Sequence, residues 1–161
     1  MLIDLQTTFS GATALDGTKT GQALTSTAIS ANVLDLRNAA TPATADEGLT
    51  PGQDFWLVVQ VLQAFTTGTS ATLTATLESD SAVGLGSAPV VHSTLCTAVA
   101  AATLVAGYTI ARIQLPAADY KRYLGLRYTV NVGTFTAGSV LAFLTPDIYR
   151  VPQYPIGFSV A

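Results

Sequence analysis

His92 is the chain's only histidine, and a lone imidazole in "APVVHSTL" could serve as general base beside a serine. No GxSxG elbow, GxxxxGK[ST] loop or HExxH spacing accompanies it, so it reads as a strand-edge histidine. "GLGSAP" (84–89) has the glycines of a phosphate loop. It runs into Pro89 and a strand-like segment rather than into a helix N-terminus, and reads as a turn. The carboxylates Asp46 and Glu47 in "TADEGLTPG", and Glu78 and Asp80 around the turn at "LESDS", could offer hard oxygen ligands to Ca²⁺. Neither loop alternates Asp and Asn as a dedicated site does, so these four read as solvated turn residues. Cys96 is the single cysteine, which excludes an intrachain disulfide and a thiolate zinc site. Its apolar neighbours suit an inert buried thiol. These residues imply no enzyme, cofactor or metal.

What remains is a charge cluster. "KRYLGLRYTV" (121–130) holds three of the seven basic residues of a chain with formal net charge -3. With Arg112 added the positive residues are still too few for a nucleic-acid face at a sequence pI near 4.7, since affinity grows with the phosphates neutralised. Strand alternation puts Tyr123 and Arg127 on one face and Leu124 and Leu126 on the other. Two readings stay open on residues alone. Lys121 and Arg122 guard a solvated strand edge, or Lys121, Arg122, Tyr123 and Arg127 form a contact patch for a partner protein.

The elements that carry these residues are strands. "ATLTATLESD" alternates Leu73, Ala75 and Leu77 with Thr72, Thr74 and Thr76, one buried and one wet face. "FWLVVQVLQAF" (55–65) is more continuously apolar and suits a central strand buried on both faces. "YTIARIQLP" (108–116), "YLGLRYTVNV" (123–132) and "SVLAFLT" (139–145) repeat the period of two, with Gly-, Pro- and Ser-rich spacers between. "TAVAAATLVAG" (97–107) fits a short helix, a loop or a strand. The fold class expected is all-β, an antiparallel jelly roll or β-sandwich over residues 1–145. Within it, residues 10–54 are expected to form one or two strands joined by long loops. Residues 146–161, with Pro146, Pro152 and Pro155, are expected to be an extended C-terminal arm. Tyr149, Tyr154, Ile156 and Phe158 on that arm are candidate contacts with a neighbour, because a free tail gains nothing from large apolar groups.

Composition narrows the class further. Charged residues make up 11% of the chain and hydrophobic ones 49%. A surface so poor in charge suits a protein packed against others, and a homo-oligomer is expected, a dimer first and a trimer second. No apolar run reaches the roughly 20 residues of a membrane helix. "MLIDLQTTFS" lacks a basic start and carries Asp4, so it does not read as a secretory signal, and the protein is expected to be soluble and made in the host cytoplasm.

The order of "VAGY" (105–108), "IQLP" (113–116), "KRYLGLRY" (121–128) and "TAGSVLAFL" (136–144) resembles the capsid cement, or decoration, proteins of tailed bacteriophages, the family typified by the Bordetella phage cement protein. "FWLVVQVLQAF" and "ATLTATLESD" look like that family's preceding strand pair, so the likeness spans about residues 54–145. It implies a jelly roll on the outer surface of the virion capsid, bound to a major capsid protein of the HK97 type, with a structural role and no direct contact with nucleic acid or membrane. The enlarged 10–54 segment and the proline-rich arm depart from the pattern. A head or tail accessory component and a carbohydrate-binding jelly roll are the alternatives, the latter needing an exposed aromatic platform where Trp56 sits in an apolar strand.

Overall fold

A computed structural model of the chain describes residues 7–14, 17–36 and 55–146. Its strands are β1 (Thr8–Ser10), β2 (Ala12–Thr13), β3 (Lys19–Thr20), β4 (Gln22–Ala23), β5 (Ala28–Ile29), β6 (Leu34–Asp35), β7 (Trp56–Thr67), β8 (Thr72–Asp80), β9 (Val90–Ala100), β10 (Thr109–Gln114), β11 (Tyr123–Asn131) and β12 (Phe135–Thr145). No α-helix occurs among the described residues. The ambiguous segment at 97–107 resolves into the end of β9 and a turn at Ala101–Thr103. Of the 10–54 segment, the described residues up to 36 carry five two-residue strands, β2–β6, instead of one or two.

Two antiparallel sheets face each other, in the orders β1-β12-β7-β10 and β5-β11-β8-β9. Strand β4 also pairs with β12, and β6 also pairs with β11, while β2 and β3 form a small separate hairpin. With β1 and β4 counted as one interrupted pass along β12, and β5 and β6 as one along β11, the described residues make eight passes that pair first with last, second with seventh, third with sixth and fourth with fifth. That nesting is an antiparallel ribbon rolled into two sheets, the jelly roll.

Alternation decides what lies between the sheets. Leu57, Val59 and Val61 of β7, Leu73, Ala75 and Leu77 of β8, Leu124, Leu126 and Tyr128 of β11 and Val140, Ala142 and Leu144 of β12 all belong to one core. At about 25 cal/mol per Å² of apolar surface removed from water, this contact between sheets is the main source of stability. Tyr128 is fully buried, and its hydroxyl lies 2.8 Å from Ser10 Oγ of β1, as a phenol in a core requires. Strand β7 sits between β12 and β10. Its alternate residue Val58 packs with Leu141 and Phe143 in a second cluster on the far side of the sheet, hence the continuous apolar run of that strand.

The turns joining these strands define two ends. At one end lie the β7–β8, β9–β10 and β11–β12 connections, at the other β8–β9 and β10–β11. The second end receives the charged start of β11.

Candidate functional site: the charged end of strand β11

Register against β8 places Tyr123 beside Asp80, Gly125 beside Glu78 and Arg127 beside Thr76. Leu124 and Leu126 point into the core, so Tyr123, Gly125 and Arg127 lie on the outer face, as the period of two requires. Arg127 does not extend freely from that face. Its Nε donates to Glu78 Oε2 at 2.8 Å, and Thr76 Oγ1 donates to Glu78 Oε1 at 2.8 Å. The Glu78 side chain is 5% exposed and that of Arg127 28%, so the pair is largely withdrawn from water and its attraction only weakly screened.

The second basic side chain has its own acid. Arg122 Nε donates to Asp35 Oδ1 at 3.0 Å and Nη2 to Asp35 Oδ2 at 2.8 Å, a fork that clamps the β6 residue to β11. The hydrogen bond to Asp35 raises the Arg122 pKa above its ordinary value. The guanidinium carbon also lies 4.9 Å from the centre of the Tyr123 ring, within reach of its negative π-face.

The loop between β8 and β9 closes over the same end. Asp80 is fully buried, and its carboxylate accepts from the backbone N–H groups of Ser81 at 2.6 Å, Ser87 at 2.8 Å and Ala88 at 3.2 Å. Burial alone would push its pKa up, but the donors of Ser87, Ala88, Ser81 and Ala82 outweigh that and hold it below 3.8. The "GLGSAP" loop thus cradles an anion, and the anion is the chain's own Asp80. Leu85, fully buried at the crest of the loop, folds onto Gly125, where an added Cβ would meet Leu85 Cδ1 at 2.9 Å. Arg127 Nη2 and Lys121 Nζ donate to the carbonyls of Leu85 and Ala88 and hold the loop down.

Next to this clamp, His92 Nε2 lies 2.7 Å from Ser79 Oγ, and Ser79 Oγ accepts from the Lys121 backbone N–H at 2.9 Å. Burial lowers the His92 pKa, which favours the neutral imidazole, and the tautomer of that ring decides which partner donates in the Ser79–His92 bond. The His92 ring packs edge-on against Tyr120 with centres 4.5 Å apart. Burial pushes the Tyr120 hydroxyl up to about 12, and that hydroxyl donates to the Pro116 carbonyl. Distance alone would make Ser79 and His92 a nucleophile and base. However, Ser79 is fully buried, and no substrate carbonyl could reach its oxygen without opening the β8–β9 pairing. The geometry ties β8, β9 and the β10–β11 connection together.

Residues 18–144 match the family model described as Bbp16, a family named after a Bordetella phage protein. The chain belongs to the Bbp16 family. A search of curated proteins finds no match.

In this Bbp16-family chain, the structure gathers Lys121, Arg122, Tyr123 and Arg127 at one end and gives each of them a contact within the chain. Tyr149, Tyr154, Ile156 and Phe158 lie outside the described residues, as do Asp46 and Glu47. The reading of Glu78 and Asp80 as solvated turn residues is overturned. Both are buried, because each carboxylate is fully occupied by donors that stand in for water. Among the described residues no cluster of His, Cys, Asp or Glu could hold a metal ion. Cys96 is partly buried, with Sγ 3.6 Å from the Leu73 carbonyl, and burial raises its pKa, so the thiol form prevails. Trp56 is half-buried at the start of β7. The ion pairs escaped sequence reasoning because their acids come from other strands. The Asp80 cradle left one trace, an Asp followed by a Ser- and Gly-rich loop.

Proposed function

We propose that this protein is a capsid cement: a structural, non-catalytic component that sits on the outer surface of a tailed-phage head and strengthens contacts between subunits of the major capsid protein. The observation that carries the reading is membership of a phage-protein family over residues 18–144. The chemistry of the described residues supports it. Ion pairs, an anion cradle and a buried Ser–His bond all serve to lock one end of a sandwich. A rigid domain with a charge-poor surface suits lattice binding, where many copies of a modest interface add up through avidity. Self-association is part of the proposal, with a dimer preferred over a trimer. The partner is a capsid protein of the HK97 type, and the arm residues Tyr149, Tyr154, Ile156 and Phe158 are proposed as further contacts.

The test is decoration. Purified protein is added to phage heads assembled without it, the heads are sedimented, and bound protein is counted against head concentration. Saturable binding accompanied by a higher disruption temperature of the heads supports the proposal. Absence of binding to heads at any stage of maturation refutes it.

A further inference from the structure

The two ends of the sandwich differ sharply in chemistry. Glu78, Asp80, Lys121 and Arg122 lie at the end that the β8–β9 and β10–β11 connections close. At the other end the connections are Gly68–Ala71 between β7 and β8, residues 101–108 between β9 and β10, and residues 132–134 between β11 and β12. None of these three contains Asp, Glu, Lys or Arg. Among the described residues five large apolar side chains stand exposed; these connections carry Val132, the most exposed at 71%, and Val105 at 52%, while Val83, Val90 and Val91 stand beside the ionised groups of the other end.

Val132 is unusual in a second, independent way. Its φ is +65°, the left-handed region that a β-branched side chain enters only under strain. Asn or Gly would fill this turn without that strain. A turn that keeps a strained, exposed valine is one where the side chain itself has a use.

The tip is also stiff. Thr67 Oγ1 accepts from the N–H groups of Thr69 at 3.1 Å and Ala71 at 3.2 Å, and donates to the Thr134 carbonyl at 2.9 Å. Thr66 and Thr136 hydroxyls lie 2.7 Å apart. Gly133 packs so closely on Thr69 that any side chain there would collide with it. A knob held this way loses little freedom on docking.

We propose that the uncharged end is the docking end, with Val132 and Val105 as apolar knobs that enter an uncharged, apolar socket on the protein surface of the phage shell. The inference rests on the cement reading and adds an orientation to it: the domain stands with β11–β12 tip down and its charged end outward. The chemistry selects a protein socket. A glycan calls for an exposed aromatic ring on these loops, and an anionic membrane calls for basic residues; the exposed large side chains here are valines.

The experiment compares Val132→Asn, Val105→Asn and the control Val83→Asn, which alters a valine 61% exposed at the charged end. Each variant is assayed for head binding, melting temperature and sedimentation velocity. Val132→Asn is expected to raise the melting temperature, because Asn accepts the left-handed φ, and to weaken decoration about tenfold through loss of a buried apolar contact. Val105→Asn is expected to weaken decoration without that gain in stability, and Val83→Asn to bind as the parent does. If the parent binds heads and both tip variants bind equally well, the orientation is wrong while the cement reading stands. If the tip variants change only self-association, the end meets a second copy and the inference is overturned. If the parent itself fails to bind, both fall.

Discussion

Replacing Arg127 by Met removes the guanidinium but keeps most of the stem that lies over the sheet. Glu78 is then left 5% exposed with Thr76 as its remaining side-chain donor. Breaking a fully buried pair costs about 3–5 kcal/mol. The Arg127 side chain is 28% exposed, so solvent screening moves the expectation to about 2–3 kcal/mol. The lost donor to the Leu85 carbonyl is included in that figure. For a domain of this size the corresponding fall in melting temperature is roughly 4–12 °C. Urea denaturation at neutral pH, with an unchanged m value, measures it directly. The double variant Arg127→Met with Glu78→Gln removes the buried charge as well as its partner. It should recover part of the loss and give a coupling energy of about 1.5–3 kcal/mol. A single-variant loss below about 0.5 kcal/mol, or a coupling near zero, would refute the claim that this charge works within the chain.

Further outcomes follow from the same end of the molecule and from the core. Asp80 has a folded pKa below 3.8, so the unfolded chain takes up its proton first as pH falls. The stability it confers is present above pH 3.8 and is lost as pH drops through the lower folded value. Asp80→Asn should flatten the acid limb of denaturant midpoints, and an unchanged limb would show that the cradle does not favour the anion. His92 also titrates below its ordinary 6.5, so its neutral form contributes stability that fades as pH falls below 6.5. The imidazole signals in an NMR titration should move at a pH lower than that. Gly125→Ala places a Cβ 2.9 Å from Leu85 Cδ1 and 3.2 Å from Ser30 Oγ, and should destabilise by about 1–3 kcal/mol through overpacking. Tyr128→Phe removes the buried partner of Ser10 and should lower unfolding free energy by about 1 kcal/mol.

Much of the architecture is legible in the alternation of residues. Leu73, Ala75 and Leu77 face the core as their spacing requires, and the apolar run at 55–65 is central, although its outer face is buried only at Val58 and opens to solvent at Gln63 and Ala64. The orientation of β11 is also legible, since Arg127 and Leu126 must point opposite ways. What alternation cannot supply is the partner across the sheet. Glu78 is far from Arg127 in sequence, and only the β8–β11 register brings the two together. The short strands between Ala12 and Asp35 escape for a related reason. Two residues carry no period; β4, β5 and β6 are placed by pairing with β12 and β11, and β2 and β3 by pairing with each other.

The placement of charge links the fold to its proposed use. A jelly roll closes its two sheets by apolar contact, which is strong but non-directional and does not by itself fix the connecting loops. At the charged end, directional groups supply that fixity. Arg122 holds the β6 strand through Asp35, Arg127 and Lys121 hold the β8–β9 loop, and Asp80 gathers the backbone donors of that loop into one turn. At the opposite end, threonine hydroxyls do comparable work without charge. An end fixed by ion pairs would have to shed water from its charges before meeting an apolar socket, at a cost of several kcal/mol per ion. An end whose three connections carry no ionised side chain sheds only the weaker hydration of hydroxyl and amide groups. Under the proposed orientation the domain therefore meets its socket with the uncharged end and keeps its ionic chemistry at the other.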